Sequence, residues 1–206
     1  PRSTLFPYTT LFRSAMLNIV LFGAPGCGKG TQAQRLKEKY RLNHISTGEV
    51  IRNEIARGTE MGRSMEHYIK TGQLAPDELV VGIIADYMES HREGCGNIFD
   101  GFPRTQAQAE AFDKILAGHG LAVDRMIYMD VPEETLVERI LLRGRDSGRA
   151  DDASEEVIRD RIETYRRQTA VVADHYAAQG KYDAVNGVGT MDEVMERIST
   201  VIDGLK

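Results

Sequence analysis

An apolar run, Val20-Leu21-Phe22, stops abruptly at four glycines, Gly23, Gly26, Gly28 and Gly30, with Lys29 between the last two. Few local folds tolerate that pattern, and it reads as a strand that turns sharply into a helix. Glycine lets the backbone take positive φ and come close to a ligand, so successive N–H groups can converge on one set of phosphate oxygens. Residues 31–40 then carry apolar side chains at Ala33, Leu36 and Tyr40 among polar ones, which sets a helix N-terminus and its dipole behind the loop. Lys29 adds a point charge for β- and γ-phosphates. The spacing Gly23-x4-Gly28-Lys29 fits a phosphate-binding loop, except that Gly30 stands where a hydroxyl is expected and Thr31 supplies it one residue later.

At 206 residues the chain is long enough for one α/β domain with a sizeable core. Acidic residues outnumber basic ones by 31 to 26, a net charge of −5, which argues against a nucleic-acid polymer or an anionic membrane as partner. Phosphate binding must therefore come from locally placed cations. The two cysteines, Cys27 and Cys95, have no companions at metal-ligand spacing, a usage that fits a reducing cytoplasm. No apolar run approaches the length that spans a bilayer. Residues 1–15 stand apart: the segment from Thr4 to Ser14 reads like the translation of a sequencing-adapter oligonucleotide, and Met16 is a natural start. Residues 1–15 are accordingly expected to be a non-native leader, and residues 16–206 the domain.

Short apolar runs at 17–22, 43–45, 97–100, 125–131 and 182–185 read as strands, and the stretches between them carry helical periodicity. That alternation predicts a parallel five-stranded sheet covered by helices on both faces, with its ligand at the carboxyl ends of the strands. Ser46 with Glu49 three residues on has the pattern of a capping box. The glycine-punctuated helices that follow, around Ile51, Ile55, Met65 and Ile69, read as a small insertion. Pro76 opens a stronger helix, and Pro132 another with Leu136, Val137, Ile140 and Leu141 inward. From Leu142 to Asp152 the composition turns polar, and this stretch is expected to be a loop. One long helix with Ile158, Ile162, Tyr165, Thr169, Val172 and Tyr176 on one side should follow, and a closing helix marked by Met191, Val194, Met195, Ile198, Val201 and Ile202 should end the chain.

Between positions 139 and 167 there are eight arginines and no lysine. Arginine's planar fork grips phosphate oxygens with two bonds, whereas lysine acts as a point charge. Arg159, Arg166 and Arg167 read as a solvated helix face paired with nearby acids such as Glu155 and Glu163. Arg143 and Arg149, which flank the polar stretch, read as ligand-binding.

With these segments in order, Gly23–Thr31, Ser46-Thr47-Gly48, Asp100-Gly101-Phe102-Pro103-Arg104 and the series Arg143, Arg149, Asp151, Asp152, Arg161, the chain resembles the adenylate kinase family from about Met16 to Leu205. The resemblance implies a P-loop NTPase fold, with a nucleoside monophosphate region at 46–75 and a short lid at 142–152. It implies reversible transfer of a phosphoryl group between ATP and AMP by a cytoplasmic monomer. On the donor side it implies that Gly26, Cys27, Gly28, Lys29, Gly30 and Thr31 hold the ATP phosphates, Arg139 packs against adenine, Arg143 grips the phosphates and the Gly189 carbonyl meets the base edge. On the acceptor side it assigns AMP to Thr47, Arg52, Gln73, Leu74, Ala75, Gly101, Phe102, Pro103, Arg104, Gln108, Arg149 and Arg161. Lys29, Arg104, Arg143, Arg149 and Arg161 become the catalytic cations, and Thr31 and Asp100 hold Mg2+ through water. The short lid without cysteines implies no structural zinc.

The chemistry is compatible with those roles. None of the five histidines falls in a motif, and no serine–histidine or cysteine–histidine pairing is visible. An acceptor that is itself a phosphate is already anionic, so alignment and charge neutralisation suffice. Two alternatives remain open. Relatives that phosphorylate UMP and CMP have alanine in place of Thr47 and asparagine in place of Gln108, whose amide can pair with an adenine edge. A nucleotide-dependent switch would need an Asn-Lys-x-Asp stretch for guanine, and the chain contains no Asn-Lys pair.

Overall fold

A computed structural model describes residues 16–71, 73–90, 95–147, 149, 152, 154–169 and 171–205. The expected leader lies outside the described residues. Strands β1 (Leu17–Phe22), β2 (Asn43–Ser46), β3 (Gly96–Asp100), β4 (Arg125–Asp130) and β5 (Tyr182–Asn186) form one parallel sheet in the order β2-β3-β1-β4-β5. The chain leaves β1 toward β2 on one side, and leaves β4 toward β5 on the other. Open parallel sheets bind ligands in the crevice beyond such a reversal.

Helices α1 (Lys29–Tyr40), α2 (Thr47–Ala56), α3 (Glu60–Thr71), α4 (Asp77–Ser90), α5 (Gln106–Gly118), α6 (Glu133–Ser147), α7 (Glu155–Thr164), α8 (Val171–Ala177) and α9 (Met191–Asp203) connect and cover the strands. Two groups pack on the sheet, α1 with α9, and α4 with α5 and α8. Ile19, Val20, Ile98, Phe99, Met126 and Ile127 are fully buried between them. Phe112 of α5 anchors one group, its ring edge-on to Phe99 at 4.6 Å and to Phe102 at 5.1 Å.

At the amino end of the sheet, the buried Asn97 amide donates to Asn18 at 2.8 Å and accepts from Asn43 at 3.3 Å, and the same residues are register partners across three strands. A slip of one residue would strand these amides, so the ladder specifies register.

Helices α2 and α3 stand on a separate cluster of three buried residues, Ile51, Met65 and Ile83. They approach so closely that a Cβ at Gly62 would lie 2.2 Å from the Glu54 carbonyl oxygen. Each buried side chain contributes roughly 1.5–3 kcal/mol, so a three-residue cluster ties this region down far less firmly than the sheet is tied to its helices.

Two sequence expectations change. The polar stretch from Leu142 is not a loop throughout, because α6 continues to Ser147. Gly144 does not end the helix because it packs there, its Cβ position being 2.7 Å from the Asp152 carbonyl oxygen. The expected long helix is broken by a five-residue π turn, Tyr165–Thr169, between α7 and α8, although its inward-facing residues from Ile158 to Tyr176 are all buried as their spacing requires. The closing helix α9 begins at Met191 as expected, with that first side chain 62% exposed.

Candidate active site

Loops at the carboxyl ends of the strands surround a cavity of about 770 Å³. After β1 the backbone takes positive φ at Gly23, Gly26 and Gly28, and Gly28 caps α1 in the left-handed conformation. A Cβ at Gly26 would lie 2.6 Å from the Ile140 side chain, so α6 also requires glycine there. Lys29 curls over the loop, its Nζ donating to the carbonyls of Gly23 at 2.7 Å and Ala24 at 3.1 Å. Cys27 is buried beneath it, Sγ 3.5 Å from that Nζ. Arg139 spans from the Cys27 carbonyl to the Gly187 carbonyl, both at 3.4 Å, joining the loop to the segment after β5. Thr31 and Gly189 also face the cavity.

Asp100 ends β3 beside the loop, 3.7 Å from where a Cβ on Gly30 would be. Burial opposes its ionisation, but His44, 3.7 Å away, together with the charges of Lys29 and Arg104, outweighs that and holds its pKa below the usual carboxylate value. Asp152 has the same balance: burial raises its pKa, and hydrogen bonds and charge from Arg143 and Arg161 bring it down. Its carboxylate is fully buried, with Arg161 Nη1 at 2.7 Å.

Lys29, Arg104, Arg143, Arg149 and Arg161 all line this one cavity, as do Arg52 and Pro103. Arg104 Nε donates to the Gly101 carbonyl at 2.6 Å, which also accepts from Thr47 Oγ1 at 3.0 Å. Arg52 folds against Gly48, where a Cβ would come within 3.1 Å of its Nη1. A second cavity of about 40 Å³ adjoins the first and shares Gly48, Leu74, Gly101 and Arg104 in its wall. Thr47, Gln73, Ala75 and Gln108 line it too, with the apolar Ile51, Met65 and Val80. It has room for a water but not for a purine.

The structure does not bring every named residue to a cavity wall. Phe102 packs in the core against Phe112 and faces neither cavity; its peptide bond to Pro103 is cis. The Gln108 amide is partly engaged already, donating to Asp77 and accepting from the Arg104 N–H. Arg159 pairs with Glu155 as expected and also with Glu133, while Arg166 reaches across to Glu133 of α6 instead of an acid on its own helix.

Sequence reasoning missed His44. Parallel pairing of β2 with β3 sets Ser46 opposite Asp100, and His44, two residues back on the same face, meets the carboxylate. The alternation within Asn43-His44-Ile45-Ser46 was a usable signal once the strand order was known. Tyr165 and Thr169 of the π turn face the cavity as well, and their helical spacing gave only burial. Among the described residues, no group of three or more His, Cys, Asp or Glu could hold a metal ion, and no helix is long and apolar enough to cross a membrane.

The family model described as adenylate kinase matches residues 21–181. The adenylate kinase of Phocaeicola vulgatus is 53% identical over 190 residues, 92% of this chain and 100% of the relative. That of Bacteroides thetaiotaomicron is 52% identical over the same shares, and that of Flavobacterium johnsoniae 46%. On that family match and those identities over nearly its whole length, the chain belongs to the adenylate kinase family of phosphotransferases, whose reaction is ATP + AMP = 2 ADP.

Proposed function

We propose that this chain carries out that reaction by clamping two nucleotides phosphate to phosphate in the larger cavity. The observation that carries the reading is the convergence of Lys29, Arg104, Arg143, Arg149 and Arg161 on one cleft that also holds the Asp100 carboxylate. Five cations and helix-start amides suit the triphosphate of ATP and the single phosphate of AMP.

The ATP phosphates lie along Gly26, Cys27, Gly28, Lys29, Gly30 and Thr31, with Arg143 on their flank and the base between Arg139 and the Gly189 segment. AMP lies over Thr47, Arg52 and Arg104, with Arg149 and Arg161 on its phosphate and its base directed at Gln108, backed by Gln73, Leu74 and Ala75, where the smaller cavity has to widen, by movement of the loosely tied α2 and α3, to admit it. Region 46–75 binds the acceptor, and residues 142–152 act as the lid. The turn through Gly101, Phe102 and Pro103 sets Arg104.

An ionised Asp100 beside the phosphate loop, with the Thr31 hydroxyl nearby, suits Mg2+ held through water. When bound, the ion neutralises phosphate charge. The arginines neutralise the charge that spreads over the transferring group, and the cleft aligns acceptor oxygen with phosphorus while keeping water from competing. No protein base is called on, since the AMP phosphate is anionic already.

We further propose a monomer in the cytoplasm, since one chain supplies every group used and both thiols, Cys27 and Cys95, are free. Light scattering at assay concentration tests the mass. The decisive experiment is a coupled assay with AMP, UMP, CMP and GMP as acceptors. Two ADP per ATP and AMP are expected, with Arg104→Met and Lys29→Met each slower by roughly 10³ or more. Parental speed in either variant, or UMP preferred to AMP, overturns the proposal.

A further inference from the structure

Among the described residues, Gln108 is an amide of the smaller cavity whose orientation is set from behind. Its Oε1 accepts from the Arg104 backbone N–H at 2.8 Å, and its Nε2 donates to Asp77 Oδ1 at 2.8 Å. A backbone N–H only donates and a carboxylate oxygen only accepts. Turning the amide over would set donor against donor at Arg104 and acceptor against acceptor at Asp77, so the placement of oxygen and nitrogen is dictated by chemistry.

Asp77 is itself anchored. It is the first residue of α4, and its Oδ2 accepts from Thr105 Oγ1 at 3.0 Å. Thr105 in turn caps α5 by accepting from the Gln108 N–H at 3.1 Å. Asp77, Thr105 and Gln108 thus form a closed ring that joins the starts of two helices, with Asp77 outside the walls of both cavities.

A primary amide has two N–H groups and two lone pairs. Asp77 and Arg104 occupy one of each, so one N–H and one lone pair remain on a side chain that lines the smaller cavity. A 6-aminopurine offers an acceptor at N1 beside a donor at its amino group; a 6-oxopurine offers a donor at N1 beside an acceptor at O6. An amide free to turn over suits both, and a locked one suits one.

We propose that Asp77 is a positioning residue that determines acceptor-base specificity: by locking the Gln108 amide, it leaves the order of donor and acceptor that a 6-aminopurine matches and a 6-oxopurine does not. This rests on reading the smaller cavity, once widened, as the acceptor-base site. The base enters one way round, because its phosphate is directed to the arginines of the larger cavity.

The test compares kcat/KM for AMP and IMP, with ATP as donor, in the parental protein, Asp77→Asn and Asp77→Glu. In Asp77→Asn the new amide can turn either its oxygen or its nitrogen toward Gln108, so the lock is weakened without loss of volume and only the Arg104 N–H still favours one orientation. The AMP-to-IMP ratio is expected to fall at least about tenfold, a small part of the discrimination that a fully hydrogen-bonded site can exert. Asp77→Glu keeps an acceptor and should retain more of the preference than Asp77→Asn. A ratio measured on one preparation does not depend on the fraction of active protein, so partial misfolding leaves the readout intact. A parental ratio in Asp77→Asn, or equal losses in both variants, overturns the role of Asp77. A parental protein with no preference for AMP over IMP overturns the acceptor-site reading itself, and this inference with it.

Discussion

Arg143 meets Asp152 fork to fork, Nε to Oδ2 at 2.7 Å and Nη2 to Oδ1 at 2.8 Å, with the carboxylate wholly shielded from solvent. The contact joins the last turns of α6 to the segment that leads into α7. Because Arg161 Nη1 shares Oδ1, one carboxylate aligns two of the five cations that face the cleft. Asp152→Asn keeps the shape and removes the charge, and an asparagine has only one acceptor oxygen for two guanidinium groups. The turnover of this variant should drop by about 10², the cost of misplacing a reacting group by an ångström, with KM for ATP and AMP shifted much less. Steady-state kinetics on both substrates check this.

The same carboxylate gives a pH signature in stability. Asp152 has its pKa lowered below 3.8 in the folded chain, so its pairing stabilises the fold above that value and is lost as the pH falls through the lower, folded one. The melting-temperature gap between the parental chain and Asp152→Asn should be full at neutral pH and shrink only once the pH drops below the ordinary aspartate range. A gap that stays constant down to acid unfolding would contradict the assignment.

Asp100 makes a separate prediction for the metal. His44, Lys29 and Arg104 keep it ionised although it is buried, which suits a group that orients water around a cation. Asp100→Asn should need about 10–100 times more Mg2+ for half-maximal rate, as changes to groups that orient a metal's ligands commonly do. Titrating Mg2+ at fixed ATP and AMP measures it.

Local chemistry made the phosphate loop and all five strands legible, because apolar runs and glycine punctuation act over a few residues. Pairings set by long-range packing were not legible. Gly144 reads as a helix breaker until Asp152 is seen against it, and no sequence pattern links Asp77 to Gln108, 31 positions away. His44 became a site residue only through the register of β2 on β3. Arg166 found its acid on α6 because α6 and α7 pack together, which helical spacing alone does not reveal.

The asparagine ladder predicts an effect on stability without one on catalysis. Asn97→Ala would remove the donor to the buried Asn18 Oδ1 and an acceptor of the half-buried Asn43 amide, and open a cavity as well. Together these should cost about 2–4 kcal/mol by urea unfolding. Asn97 lies three residues before Asp100, at the end of β3 away from the cleft, so kcat and KM should hold at temperatures where the variant remains folded.

Arg41 closes α1 in the left-handed conformation, φ 56° and ψ 45°, with its N–H bonded to the Lys37 carbonyl. It is the only non-glycine residue with positive φ among those described, and its side chain is exposed. A side chain in that conformation costs roughly 1–2 kcal/mol, which glycine avoids; glycine's larger unfolded-state entropy takes back roughly 0.5–1 kcal/mol. The strain term is the larger, so Arg41→Gly should raise stability by about 0.5–1 kcal/mol. For a chain of this size that is a rise in melting temperature of about 1–4 °C, measurable by calorimetry, with kinetics unchanged because the cap faces solvent away from the cleft. A lower melting temperature would mean that the Arg41 side chain contributes more at the helix end than its backbone strain removes.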